Sequence, residues 1–346
     1  MNKERNISLD ITRIIAVLAV VMIHTNVKFV TSYNIATPEF FWGNIFDSIS
    51  RIGVPLFVMI SGALMLDENR NISIKSLFLK NIKNIAFLLI FWSVLYSCIY
   101  NIVFPLSKGK SLSFKRIVSS MLLGHYHMWY LYMIIGLYLI TPFLREFISK
   151  KNKNLILLFF AVSVLTQFSQ PILNALSLLW NDVIYFVKFI EKFRLDFFGG
   201  FITYYIIGWY LTNIKIKKKW SFYCMGFFSL LITVLYVQIT KDYSNGYSNM
   251  NLLILLYSVA VFIALNCGKK WTPDSRLKNI IEVLSKLSFG VYIVHPLFLT
   301  VFRKIFGYTK APLQYILICY VVVTILSFAS CFAASKIPGV KKLIRA

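Results

Sequence analysis

The chain is poor in charge, and poorest in acid: 13 Asp and Glu stand against 37 Lys and Arg, and both signs together make up only 14% of 346 residues. A soluble domain covers its surface with a charged share of about 25%, so a water-solvated globule is excluded. Cysteine is sparse as well. Cys98, Cys224, Cys267, Cys319 and Cys331 each stand alone in or beside apolar stretches. With no CxxC pair and no Cys/His ligand spacing, neither a disulfide framework nor a zinc site is indicated, and no metal is expected. There is no internal repeat, no low-complexity tract and no segment that reads as a soluble domain, so one membrane-embedded domain over 1–346 is expected. The net charge of +24 lies in short patches between apolar runs rather than on one basic domain. Topology and anionic headgroups explain that pattern, and no nucleic-acid partner is expected. Nothing in the sequence sets an oligomeric state.

What the chain has is apolar length. Hydrophobic residues make up 58% of it, and the mean hydropathy is +0.70. Runs of about 20 apolar residues are long enough to span a bilayer. Ten are expected, near 9–30, 44–66, 82–104, 127–147, 154–174, 197–213, 220–240, 250–267, 280–304 and 312–335. The fold class is therefore all-α, a polytopic helical bundle of about ten spans solvated by the lipid bilayer of the cell membrane. The first run is too long for a signal-peptide core and holds an arginine, so it reads as a retained helix. With the N-terminus placed in the cytoplasm, inner segments carry 23 Lys and Arg against 12 in outer ones, which favours both termini inside. The longer outer segments, 105–126 and 175–196, have room for short interfacial helices.

Ionisable residues inside such spans are costly and mark functional sites by default. The first span reads LDITRIIAVLAVVMIHTNVKF, with Arg13 near its start and His24 eleven residues on, about 16 Å along a helix. The plainer alternative is that Arg13 snorkels to the interface and His24 bonds a neighbouring helix. Sorting by depth on the expected topology gathers His24, Arg51, His295, His125 and His127 in the outer half, with Pro296 expected to kink the helix beside His295. Asp10, Arg13, Lys80 and Lys83 fall at the inner boundary, where Asp10 and Arg13, three apart, can pair. Lys80 and Lys83 also read as ordinary interfacial anchors. Trp129 and Tyr130 read either as stacking platforms for a sugar at the outer mouth or as an aromatic belt.

Four blocks carry a family resemblance: the Arg13 to His24 pattern, SRIGVPLFVMISGALML, HMWYLYMIIGLYLITPFL and SFGVYIVHPLF, in that order. Together they resemble the acyltransferase-3 family of integral membrane acyltransferases, and in particular its single-domain members that O-acetylate surface polysaccharides. The resemblance implies transfer of an acyl group, usually acetyl from acetyl-CoA, to a hydroxyl of a carbohydrate acceptor. It implies that Arg13 and His24 are essential. The family's RxxR pair stands here as Lys80 and Lys83, which keep the charge but lose the bidentate fork. The soluble second domain of some members is not expected.

The residues support that chemistry on their own terms. Acetyl-CoA is anionic at its nucleotide end and carries its thioester on a long thin arm. Arg13, Lys80 and Lys83, with Asp10 orienting Arg13, are expected to hold the phosphates while the arm reaches outward. A hydroxyl needs a base to attack a thioester, and His24 is the expected base. Arg51, His295 and Tyr292 are candidate oxyanion donors. His127, Trp129, Tyr130 and Tyr292 are candidate acceptor contacts. A covalent acetyl carrier, His24 or Ser61, is a further option, although Ser61 also reads as a small packing residue. Two other classes fit ten spans with buried charge: an exporter of a small solute or lipid-linked sugar, and a serine-uptake module of a racemase-like system.

Overall fold

The computed structural model describes residues 5–70, 72–149, 152–177, 180, 182–192, 199–268, 273–307 and 311–345, and among these it is all helix and turn, with no strand. Of the basic residues used for the topology, Lys3, Lys150, Lys151, Arg194, Lys269, Lys270 and Lys310 lie outside the described residues.

Among the described residues, eight helical stretches are long and apolar enough to cross a membrane. They are α1 (Ile7–Ser32); the pair α2 (Pro38–Ser50) and α3 (Gly53–Met65); α4 (Ile74–Leu106); α6 (Trp129–Ser149); α7 (Lys153–Ser177); α10 (Lys219–Thr240); α12 (Ser275–Phe306); and α13 (Pro312–Ser335). The other two expected spans are short helices, α9 (Phe201–Asn213) and α11 (Leu252–Asn266), of 13 and 15 residues. At about 1.5 Å per residue neither reaches the thickness of a hydrocarbon core by itself. Residues 197 and 198, at the start of the expected 197–213 span, lie outside the described residues. Both longer connecting segments do hold short helices, α5 (Phe114–Leu123) and α8 (Val183–Glu191).

Local chemistry sets the breaks. Asn6 caps α1 by accepting from the Ser8 and Leu9 amides at 3.0 and 3.3 Å, satisfying donors that a helix start leaves open. The expected 44–66 span bends at Arg51 and Ile52, between α2 and α3. Pro55 supplies the cause, because it has no N–H to return to the Arg51 carbonyl four residues back. In α4 a π turn over Leu77–Ile82 makes the Lys83 amide reach back five residues to Phe78. That wider turn changes which side chains share a face.

Small residues bring the central helices together. A Cβ at Gly62 would sit 1.8 Å from the Tyr205 carbonyl oxygen, and one at Gly208 2.0 Å from that of Met59. The backbones of α3 and α9 touch there, as close membrane helix packing requires. The packing role expected of Ser61 thus falls to its neighbour Gly62. Beyond α13 the chain turns back through a 3-10 turn at Val340–Leu343 and buries Ile344 in the same core as α1, α3 and α12.

Candidate active site

At one end of the bundle a cavity of about 970 Å³ opens among α1, α3, α4, α6, α12 and the 340–345 segment. Its lining holds six cationic side chains, Arg5, Arg13, Arg70, Lys80, Lys286 and Arg345, against two carboxylates, Asp10 and Asp67. Asp10, 3% exposed, is the hub of the wall. It accepts from both nitrogens of the Arg5 fork at 2.5 and 2.9 Å, from the Ser285 hydroxyl at 2.6 Å, and at 3.5 Å from Arg13, which also reaches Ser285 at 3.2 Å. The expected Asp10–Arg13 pair is present, but Arg5 is the tighter partner, and its bond to Asp10 holds the guanidinium still more firmly charged. Arg145 closes a neighbouring wall by donating to the carbonyls of Asp67, Arg70 and Ile72 at 2.8, 2.6 and 3.2 Å.

Lys80 and Lys83 part company here. Lys80 lines the cavity, whereas Lys83 does not, and the lining beyond Lys80 is made by Asn81, Asn84 and Ile85. The π turn is the reason. A three-residue step, which keeps two side chains on one face of an α-helix, carries Lys83 off that face when the turn is wider.

A column of rings leads from the cavity into the bundle. Tyr130 and Tyr292 both line the cavity and pack at 5.5 Å between centroids. Tyr292 packs on His127 at 5.5 Å, His127 on His295 at 5.6 Å, and His295 stacks on His24 at 5.2 Å. His125 completes the group, with its Nδ1 3.0 Å from that of His127. Four histidines from three separate parts of the chain thus form one cluster, as their depth suggested. Tyr126 packs on His24 at 5.1 Å, and Tyr96 on His125 at 4.4 Å. Burial pushes His125 down to about 4, so that ring is neutral near pH 7.

One tautomer in the cluster is fixed by backbone. Pro296 has no N–H for the Tyr292 carbonyl four residues back. The Nδ1 of His295 takes that carbonyl instead, at 2.8 Å, with Val291 at 3.2 Å. A carbonyl only accepts, so His295 is protonated at Nδ1, and its buried, unpartnered Nε2 carries a lone pair. Arg303, on the same helix, donates to the His24 carbonyl at 2.6 Å and so clamps α1 at the histidine. Sequence reading counted Arg303 only as a topological charge.

Two of the expected oxyanion donors, Tyr292 and Arg51, have protein partners of their own. The Tyr292 hydroxyl donates to the His127 carbonyl. His295, while neutral, presents an acceptor. Arg51 pairs with buried Asp47 at 2.5 Å and lies 4.3 Å over the Tyr247 ring, and its charge also acts on His24, the neighbour that depth gave it. Trp129 packs on Phe201 at 5.6 Å and is 42% exposed, as an interfacial aromatic would be. Tyr130 lines the cationic cavity. Ser61 also lines the cavity; its hydroxyl donates to the Phe57 carbonyl at 2.9 Å and meets Tyr130 and Tyr138. Among the described residues no group of three His, Cys, Asp or Glu side chains is arranged to hold a metal ion.

No curated protein and no solved structure matches the chain. The model of the acyltransferase-3 family, described as an acyltransferase domain, matches residues 6–333, from the Asn6 cap of α1 almost to the end of α13, and so takes in Arg13, the ring column and all four histidines. A multi-pass helical bundle matched by that family over nearly its whole length places the chain in it: this protein belongs to the acyltransferase-3 family and is a membrane acyltransferase.

Proposed function

We propose that the chain moves an acetyl group from acetyl-CoA, held in the Arg13 cavity, to a hydroxyl of an envelope glycan presented at the histidine cluster. One observation carries this reading: the column Tyr130, Tyr292, His127, His295, His24 joins a cationic cavity to four clustered histidines. Cations at the mouth suit the donor's phosphates, and a long thin thioester arm suits a reach from the cavity along the ring column. Both termini lie in the cytoplasm in this reading, where the donor is, and the bilayer is the cell membrane. The cavity then opens inward and the acceptor arrives from outside.

The reaction follows from the roles. His24 takes the proton of the acceptor hydroxyl as its oxygen forms a bond to the thioester carbonyl carbon. The tetrahedral intermediate collapses, the carbon–sulfur bond breaks, and the proton passes to the leaving thiolate, giving the O-acetyl ester and free coenzyme A. His295, fixed with its lone pair at Nε2, serves as a hydrogen-bond acceptor that aligns the hydroxyl or the His24 imidazole. Arg303 sets the position of His24 through its carbonyl. The Ser61 hydroxyl, committed to the Phe57 carbonyl, is a poor covalent carrier.

Mass spectrometry of envelope glycans from cells with and without this gene tests the activity. A gained acetyl mass that His24→Ala abolishes is the expected result. Accumulation of a solute in vesicles with no acetyl transfer would establish a transporter instead. Cysteines placed at Asn69 and Asn213 in a Cys-free chain are expected to react only from the cytoplasm and one at Asn245 only from outside. The opposite labelling would reverse donor and acceptor faces.

A further inference from the structure

Between α13 and residue 345 the chain doubles back into the bundle, and three contacts fix it there. The Trp92 indole donates to the Leu343 carbonyl at 2.8 Å, and the Asn84 amide to that of Arg345 at 3.3 Å. Ile344, 3% exposed, seats against Gly290, where any Cβ would come within 3.0 Å of its own Cβ. The backbone on either side of Arg345 is therefore held by α4 and α12.

The Arg345 side chain lines the cavity, and its Nε is buried without a hydrogen-bond partner. Other cations of the lining are shared with acids: Arg5 and Arg13 with Asp10, Arg70 with Asp67 at 3.9 Å, Lys286 with Glu282 at 3.3 Å. No described carboxylate pairs with Arg345. A guanidinium desolvated at Nε and turned to a cavity calls for an anion with several acceptor oxygens.

We propose that Arg345 binds the phosphates of the nucleotidyl thioester donor, and that the 340–345 segment is a preformed wall of the donor site. The proposal rests on the donor reading of the cavity given above. Its physical basis is the planar fork, which pairs two parallel N–H groups with phosphate oxygens, whereas Lys80 offers only a point charge. Anchoring by Trp92, Asn84 and Ile344 settles the ordering cost before the ligand arrives.

Calorimetric titration of coenzyme A into the purified full chain, in zwitterionic detergent free of anionic lipid, tests this. Arg345→Gln is expected to weaken binding about tenfold with no change in melting temperature. Arg345→Lys recovers only part of the loss. Trp92→Phe, which removes the anchor on Leu343 and leaves the cation, gives a smaller loss in the same direction and keeps the question open to test if Arg345→Gln does not fold. Exposed Lys341, outside the cavity lining, serves as the control, and Lys341→Gln binds as wild type. Equal losses in Lys341→Gln and Arg345→Gln would reduce the effect to long-range charge and overturn the proposal. Wild-type affinity in Arg345→Gln beside lost affinity in Arg13→Ala would overturn it too and leave the donor cavity standing. Wild-type affinity in both variants would remove the donor cavity itself.

Discussion

The two ends of the ring column are built on opposite principles. The cavity is wide and rich in cations, and Asp10 ties two of its arginines together while Arg345 has no described carboxylate partner. The histidine cluster is ring-packed, and its one fixed ring, His295, is fully buried and held by main-chain carbonyls. Fixed positive charge binds phosphate well but would weaken the proton affinity of an imidazole needed as a base. Proton chemistry wants neutral histidines in a dry site, where hydrogen bonds are strong. Tyr130 and Tyr292 stand between the two demands, touching the cavity on one side and, through Tyr292, His127 on the other.

The largest effect should come from breaking the histidine end alone. His24→Ala is expected to lower acyl transfer by about 10²- to 10⁴-fold, while coenzyme A binding and melting temperature stay at wild-type values. Activity within threefold of wild type would remove His24 from the mechanism. Loss of donor binding in the same variant would erase the division between the two ends.

Breaking the cavity end should give the complementary pattern. Arg13→Lys is expected to raise KM for acetyl-CoA by about tenfold with a smaller change in kcat, since a point charge replaces a planar guanidinium whose Nη1 alone meets both Asp10 and Ser285. Asp10→Asn should follow in the same direction, because it loosens Arg5 and Arg13 together. A fall in kcat at constant KM for either variant would place Arg13 in the chemical step instead.

The contrast also marks what the sequence made legible. Apolar length and charge placement were enough for a helical membrane bundle, because a bilayer tests each span almost independently. Depth was enough to gather the four histidines, since residues at one height in a tight bundle have few places to go. Depth says nothing about azimuth, however. The π turn that separates Lys80 from Lys83 does not show in a count of residues along a helix. Arg145 and Arg345 looked like topological charge because their partners, the 67–72 carbonyls and the cavity, come from distant parts of the chain.

A subtler test separates tautomer from fold. Pro296→Ala restores an N–H that can claim the Tyr292 carbonyl and so releases the His295 Nδ1 that now holds it. Helix stability should rise, since an interior proline is unfavourable by about 3 kcal/mol, while acyl transfer falls by roughly fivefold, well short of what loss of a general base costs. Stability and activity moving together would mean that Pro296 matters only for packing. The pH dependence of stability probes the same end. His125 binds its proton at about 4 when folded and near 6.5 when unfolded. Above pH 6.5 its contribution is fully present. As pH falls from 6.5 towards 4 the unfolded chain takes up a proton that the folded one refuses, and stability drops through that window. His125→Asn should flatten the decline in the melting temperature of the detergent-solubilised protein, and an unchanged slope would show that His125 is not what titrates.

The smallest effect expected is also the one most specific to this geometry. Lys80 lines the cavity and Lys83, three residues on, does not. On a regular α-helix the two would share a face and either neutralisation would weaken donor binding alike. With the π turn in place, Lys80→Gln should raise KM for acetyl-CoA by about threefold, the scale of an exposed charge contact, and Lys83→Gln should leave it unchanged. Deleting one residue from the π turn, Asn81 for instance, would return that turn to α geometry and rotate everything before it, so the lysine that matters should change with it. Equal effects of Lys80→Gln and Lys83→Gln in the intact chain would mean that both act as distant charges at the cavity mouth and that the π turn has no part in shaping the donor site.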